Sequence, residues 1–148
     1  MWYGVTVAPL SRWTNQSGRF VVAGDCAHPM LPYMAQGANS SLEDAAVIGS
    51  LLSHVHEPAQ LSAALALYDA VRRPRVDQLV RETFAQGTEN HLSDGPEQEI
   101  RDKQLARSTL PEFGPKSDTP WTHPKIQNWI YGYDAYAEAE AAFGDRPF

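Results

Sequence analysis

Apolar positions along the chain switch between two periods. Between Trp2 and Ala8 they alternate around Gly4-Val5-Thr6-Val7, and Pro9 removes a backbone donor, so a strand is expected that stops at the proline. After the turn-forming Asn15-Gln16-Ser17-Gly18, the run Arg19-Phe20-Val21-Val22-Ala23 is almost continuously apolar and breaks at Gly24-Asp25. That is the pattern of a parallel-sheet strand buried on both faces. From Asn39 the period lengthens: Leu42, Ala45, Ala46, Gly49 and Leu52 recur at three- and four-residue steps, predicting a helix with one buried face. Ser40 and Ser41 lie near its start, where hydroxyls cap free amides. Leu61, Ala64, Leu65, Tyr68 and Val71 predict a second helix ending at Arg72-Arg73, and Pro74 suits the first turn of a third that carries Val76, Leu79, Val80 and Phe84 and closes at Gly87.

Beyond Gly87 the character changes. Thr88 to Gln104 is polar and charged, Leu110 to Pro124 holds Pro111, Pro115, Pro120 and Pro124, and Ile126, Trp129, Ile130 and Tyr133 then fall on one helical face. Asp134 is placed to cap a final segment, Ala135 to Phe143. Residues 1–87 therefore read as one body, and residues 88–148 as a Pro-rich loop followed by a helical tail.

With 43% hydrophobic and 20% charged residues, the 148-residue chain can bury a core, and its length sets a ceiling of one compact domain. A net charge of −6 has the wrong sign for binding by phosphate neutralisation, so no nucleic-acid partner is expected. The single cysteine, Cys26, cannot form an internal disulfide, no Cys/His array has zinc spacing, and a reducing compartment follows by default. No signal-like leader and no run of about 20 apolar residues is present, giving the expectation of a soluble, cytoplasmic protein with no membrane contact. His54, His56, His91 and His123 read as surface histidines. Arg72, Arg73 and Arg75 read as a complement to a helix C-terminal dipole, paired with the acidic surface. Cys26 and His28 lack a third orienting group and do not make a nucleophile pair.

Candidate chemistry concentrates between Gly24 and Asp44. A buried strand ending in Gly24-Asp25, a Pro-rich loop and a glycine opening a helix together make a ligand site. Gly24 permits close approach to the backbone, and Asp25 offers an acceptor-only carboxylate to sugar-like hydroxyls or closes a simple turn. Gly37-Ala38-Asn39 places unpaired amides at a helix start, to serve an electron-rich ligand edge or as an ordinary N-terminus.

The residues Gly24-Asp25-Cys26-Ala27-His28-Pro29, Pro32, Gln36-Gly37-Ala38-Asn39 and Leu42-Glu43-Asp44-Ala45 together resemble the second FAD motif of flavin-dependent aromatic hydroxylases, single-component flavoprotein monooxygenases of the salicylate-hydroxylase-like branch. The likeness extends to Pro9-Leu10-Ser11-Arg12-Trp13 and to Tyr68-Asp69-Ala70-Val71-Arg72-Arg73-Pro74-Arg75. The tail Ile126 to Ala135 is similar to the C-terminal ends of fungal members. The resemblance implies an α/β fragment, mostly α, in which a terminal strand and helices of a Rossmann-like FAD-binding domain precede a helical C-terminal tail. It implies that residues 1–87 are the C-terminal part of that domain. It further implies that Asp25 at Gly24 bonds the ribityl chain, that Pro32 lies beside the isoalloxazine ring, and that Gly37, Ala38 and Asn39 face its pyrimidine edge, where a helix N-terminus suits the negative charge of a reduced flavin. No metal is implied, and no residue is singled out as catalytic.

The implied activity is NAD(P)H-driven, O2-dependent hydroxylation of a small aromatic or phenolic substrate, with FAD as the cofactor. Members of this family also carry an N-terminal Gly-x-Gly-x-x-Gly, and none occurs here, so the chain is expected to be a C-terminal fragment served by a complementing N-terminal fragment. A non-catalytic truncated remnant, acting only as a helical interaction module, is the alternative.

Overall fold

The computed structural model describes residues 9–108 and 124–148. The strand expected over residues 2–8 and most of the Pro-rich stretch lie outside them. The chain divides into two compact units, one running to Phe84 and taking in Asp134–Phe148, the other Ala85–Tyr133.

In the first unit the backbone opens as a tight hairpin-like loop. Asn15 N–H donates to the Phe20 carbonyl (3.1 Å), Val22 N–H donates to the Trp13 carbonyl (2.9 Å), and Thr14 and Val21 form an isolated antiparallel bridge. The Asn15 side chain holds the turn by accepting from the Arg19 and Phe20 amides and the Ser17 hydroxyl. The parallel strand expected over Arg19–Ala23 is therefore not formed. Its backbone groups are used within the local loop, Phe20 is exposed, and a parallel partner would need a crossover of a dozen or more residues that the described residues do not supply. Among the described residues the fold is helical, and the Rossmann-like α/β strand in the expectation gives way to a mostly α fragment.

Helix α1 spans Gly37–Ser53. Its inward stripe is Ser40, Glu43, Asp44, Val47 and Leu51, while Leu42, Ala45, Gly49 and Leu52 face outward. This reverses the expected buried face. Polar residues turn inward because each carboxylate meets an arginine, Arg72 or Arg75, of the following helix, a pairing that the apolar period of α1 alone does not reveal. Nor do the serines cap: Ser41 Oγ donates to the Gly37 carbonyl inside the helix, and Ser40 is buried.

Helix α2 runs unbroken from Leu61 to Asn90, 30 residues with Pro74 inside it, where two helices divided at Pro74 and closed by Gly87 were expected. An interior proline removes one helix hydrogen bond and costs about 3 kcal/mol. Ion pairs flank it on both sides: Arg73 with Asp69 one turn back (2.9 Å), Arg72 with Asp44, and Arg75 with Glu43. Before α2, Glu57 and Gln60 form a reciprocal capping box. Ala64, Leu65, Leu67, Tyr68, Val76 and Leu79 are buried with Trp13, Met34, Val47 and Leu51, and Trp13 lies tilted on Tyr68 at 5.5 Å between ring centroids.

The last helix of this unit, here α5 (Ala135–Asp145), packs on α1. Asp134 caps it by accepting from the Tyr136 and Ala137 amides (3.1 and 3.0 Å), as the sequence predicts. Buried Ala135 and Ala139 allow close approach. Glu140 takes hydrogen bonds from Ser50 and His54, which hold its carboxyl below the ordinary value, and the His54 ring stacks on Phe143 at 3.9 Å.

In the second unit the polar stretch after Asn90 forms helix α3, Pro96–Ser108, with proline at its first position, Glu97 and Glu99 in its first turn and a Glu99–Lys103 pair one turn apart. Helix α4 spans Pro124–Tyr131, so Tyr133 lies past its end. No described helix is long and apolar enough to cross a membrane.

Gly18 has φ +62°, and a Cβ built there would meet Ser62 Cβ at 2.5 Å at the start of α2. Gly18→Ala is expected to lower unfolding stability by about 1–3 kcal/mol, combining left-handed strain with a backbone-supported clash. Chemical denaturation of both proteins checks this, and equal midpoints would contradict it.

Candidate cofactor site

Three short pieces of chain converge at the start of α1. The first is a single 3-10 turn, Gly24–Cys26, opened by Gly24 at φ +58° and closed by Ala27 and His28 amides donating to the Gly24 carbonyl (2.8 and 3.0 Å). The second is the turn Pro32–Met34, pinned by fully buried Met34 and followed by Ala35 in the left-handed region at φ +52°. The third is Gly37–Asn39, the first residues of α1, to which Gln36 gives no side-chain cap. The Gln36 amide instead donates to the Met34 carbonyl and accepts from Asn39, whose amide also donates to Glu43.

Of the residues singled out from sequence, the structure brings Gly24, Asp25 and Gly37 together. A Cβ built on Gly37 would stand 4.0 Å from Asp25 Oδ1, and one built on Gly24 would stand 3.0 Å from Ser41 Oγ. Asp25 and Ala38 are exposed, Asn39 is half-buried, and Pro32 is exposed on the connecting turn. The turn thus presents a carboxylate to solvent beside a helix start whose first amides receive no cap from the Gln36 side chain. Such a pair offers an acceptor for hydroxyls and donors for an electron-rich edge, which is the donor and acceptor set that FAD needs. Cys26 is exposed while His28 is buried, so these two face apart, unlike the same-side placement an extended segment would give.

Beneath this surface lies a charge cluster that sequence reasoning missed. Asp44 Oδ2 accepts from the Gly24 amide (2.9 Å) and from His28 Nε2 (2.6 Å), while Oδ1 accepts from Arg72 Nε (2.9 Å). Arg75 forks onto both oxygens of Glu43 (2.9 and 2.8 Å), and Arg72 Nη1 lies 2.8 Å from Glu43 Oε2. Arg72 and Arg75 are buried, a correction to their reading as surface residues at a helix junction. The legible signal was Arg72-x-x-Arg75, one helical turn apart, set against adjacent Glu43-Asp44. Burial by itself raises the Asp44 carboxyl, but hydrogen bonds from His28, Gly24 and Arg72 outweigh it and hold the group below its ordinary value. Since an ionised Asp44 can only accept, His28 carries its proton on Nε2. Burial, followed by the nearby Asp44 charge, lifts the Tyr68 phenol well above its usual range, so it stays neutral and donates to the Val22 carbonyl. No group of three or more His, Cys, Asp or Glu among the described residues could hold a metal ion.

Comparison with known proteins identifies the family. The FAD binding domain family matches residues 5–83. The chain is 43% identical over 141 residues to the FAD-dependent monooxygenase OpS4 of Beauveria bassiana, covering 95% of this chain and 33% of that protein. It is 38% identical over 121 residues to the 3-amino-4-hydroxybenzoate 2-monooxygenase PtmB3 of Streptomyces platensis, covering 80% of this chain and 26% of that one. A solved salicylate hydroxylase substrate complex superposes with a TM-score of 0.62 at 33% identity, covering 90% of this chain and 29% of the other. The chain belongs to the FAD binding domain family found in FAD-dependent monooxygenases. It spans about a third or less of the length of these relatives.

Asp44→Ala leaves buried Arg72 with Glu43 alone and strips the Gly24 amide and buried His28 of their acceptor, and is expected to cost about 3–5 kcal/mol, measured by denaturant unfolding. The pH dependence has a fixed sign. Because the native Asp44 value is depressed, its contribution is present above the ordinary aspartate value of 3.8 and is lost as pH falls through the lower native value. Melting temperatures followed downward from pH 5 should therefore fall less steeply for Asp44→Asn than for the natural chain. Parallel acid limbs would contradict the assignment.

Proposed function

We propose that this chain supplies the flavin-ring and ribityl side of the FAD site of an FAD-dependent monooxygenase. The enzyme would use NAD(P)H as electron donor and O2 as oxidant to hydroxylate a small aromatic or phenolic substrate. When bound, FAD supplies the redox chemistry, and the chain's own residues bind, orient and shield it. Asp25 accepts from ribityl hydroxyls, and the glycine at position 24 lets the ligand approach the backbone. Gly37, Ala38 and Asn39 offer their amides to the pyrimidine edge, and Pro32 stands beside the ring system. The observation that carries this reading is the exposed Asp25 carboxylate next to the uncapped start of α1. A complementing N-terminal segment would bring the glycine-rich grip on the pyrophosphate, and the assembled enzyme would work in the cytoplasm. The functional division proposed is residues 1–87 for the cofactor and residues 88–148 for the tail. The alternative of a non-catalytic helical remnant has less support, because it gives no reason for a preformed loop around Asp25.

The test replaces the matched third of the Beauveria bassiana relative with this whole chain and measures FAD retention and NAD(P)H oxidation. The hybrid is expected to hold FAD, and Asp25→Ala to weaken that binding by about 1–3 kcal/mol. A folded hybrid without FAD, or one indifferent to Asp25→Ala, would overturn the reading.

A further inference from the structure

We propose that Asp44, through buried His28, is the positioning group of the cofactor loop, setting the angle at which Asp25 stands against the start of α1. This rests on the flavin reading above.

Both ends of the Gly24–His28 turn close on a single oxygen, Asp44 Oδ2: the Gly24 amide at 2.9 Å and His28 Nε2 at 2.6 Å. The other oxygen is held by Arg72, which also donates to the Ser40 carbonyl in the first turn of α1 (3.3 Å). One carboxylate therefore ties the turn that carries Asp25 to the helix whose amides face the same ligand. The turn has little slack, since Gly24 is left-handed and a Cβ built on it would already meet Ser41 Oγ at 3.0 Å, so a shift at His28 moves Asp25.

The cluster is an expensive way to gain stability alone. His28 is 4% exposed, and its Nδ1 is buried without a hydrogen-bond partner among the described residues, a cost that an apolar side chain of similar size against Trp13 would avoid. Replacing buried ion pairs by packed apolar groups is often neutral or stabilising, so what the polar arrangement supplies is one fixed geometry.

The hybrid protein tests this with His28→Leu, which keeps the bulk and removes the donor, and His28→Gln, whose amide nitrogen reaches where Nε2 stood. Positioning predicts that His28→Leu raises the FAD dissociation constant about tenfold and alters the visible circular dichroism of the bound flavin, and that His28→Gln restores both. A purely structural role predicts a lower melting temperature of the flavin-free protein with unchanged affinity and spectrum, and that result overturns the proposal. If His28→Leu does not fold, His28→Asn, polar but too short to reach Asp44, replaces it with the same two outcomes. Asp25→Ala run alongside separates the failures. If it leaves affinity intact, the flavin reading falls and this inference with it; if it weakens binding while His28→Leu does not, only the positioning role is wrong.

Discussion

The ion pair between Asp44 on α1 and Arg72 on α2 organises the first unit around itself. Both side chains are essentially withdrawn from solvent, and an arginine in that position is tolerable only where its charge is met and its donors are used. Meeting that demand turns the carboxylate face of α1 inward and leaves the apolar positions Leu42 and Leu52 outward. It brings Glu43 within reach of Arg75, one residue past Pro74 in the unbroken α2. The oxygen of Asp44 not used by Arg72, Oδ2, then holds the loop that bears Asp25. The packing of α1 on α2 and the loop that bears Asp25 thus meet at one satisfied charge.

This explains which parts of the structure were legible in the sequence. The Asp134 cap, the start of α1 near Gly37 and the apolar face of α2 follow from local rules, and those rules decided them correctly. The strand over Arg19–Ala23 failed because an apolar run reports burial in a sheet only where sheet partners exist. The described residues give it one antiparallel bridge instead. Periodicity misjudged the face of α1 because it counts apolar residues and is blind to charges that neutralise one another across two helices. Helix α3 was passed over as polar chain although Pro96, Glu97 and Glu99 already wrote its first turn.

The candidate site was half visible. Gly24, Asp25 and Gly37 stood out because glycine and an acceptor at a turn are local signals, and the structure sets them side by side. The buried contacts beneath them were missed by that reasoning, since His28, Asp44 and Arg72 are 16 and 28 positions apart along the chain and the paired spacings of Arg72 with Arg75 and Glu43 with Asp44 acquire meaning only when the two helices meet. The family match spans all of these residues, and the physical argument adds what holds the loop in place.

The most direct measurement is amide hydrogen exchange on the hybrid protein with and without FAD, resolved at Gly24, Asp25, Gly37, Ala38 and Asn39. If the loop and helix start hold the cofactor as described, these amides slow on loading with FAD while those of α3 are unchanged. FAD bound at full occupancy with no slowing at these five positions would contradict the account.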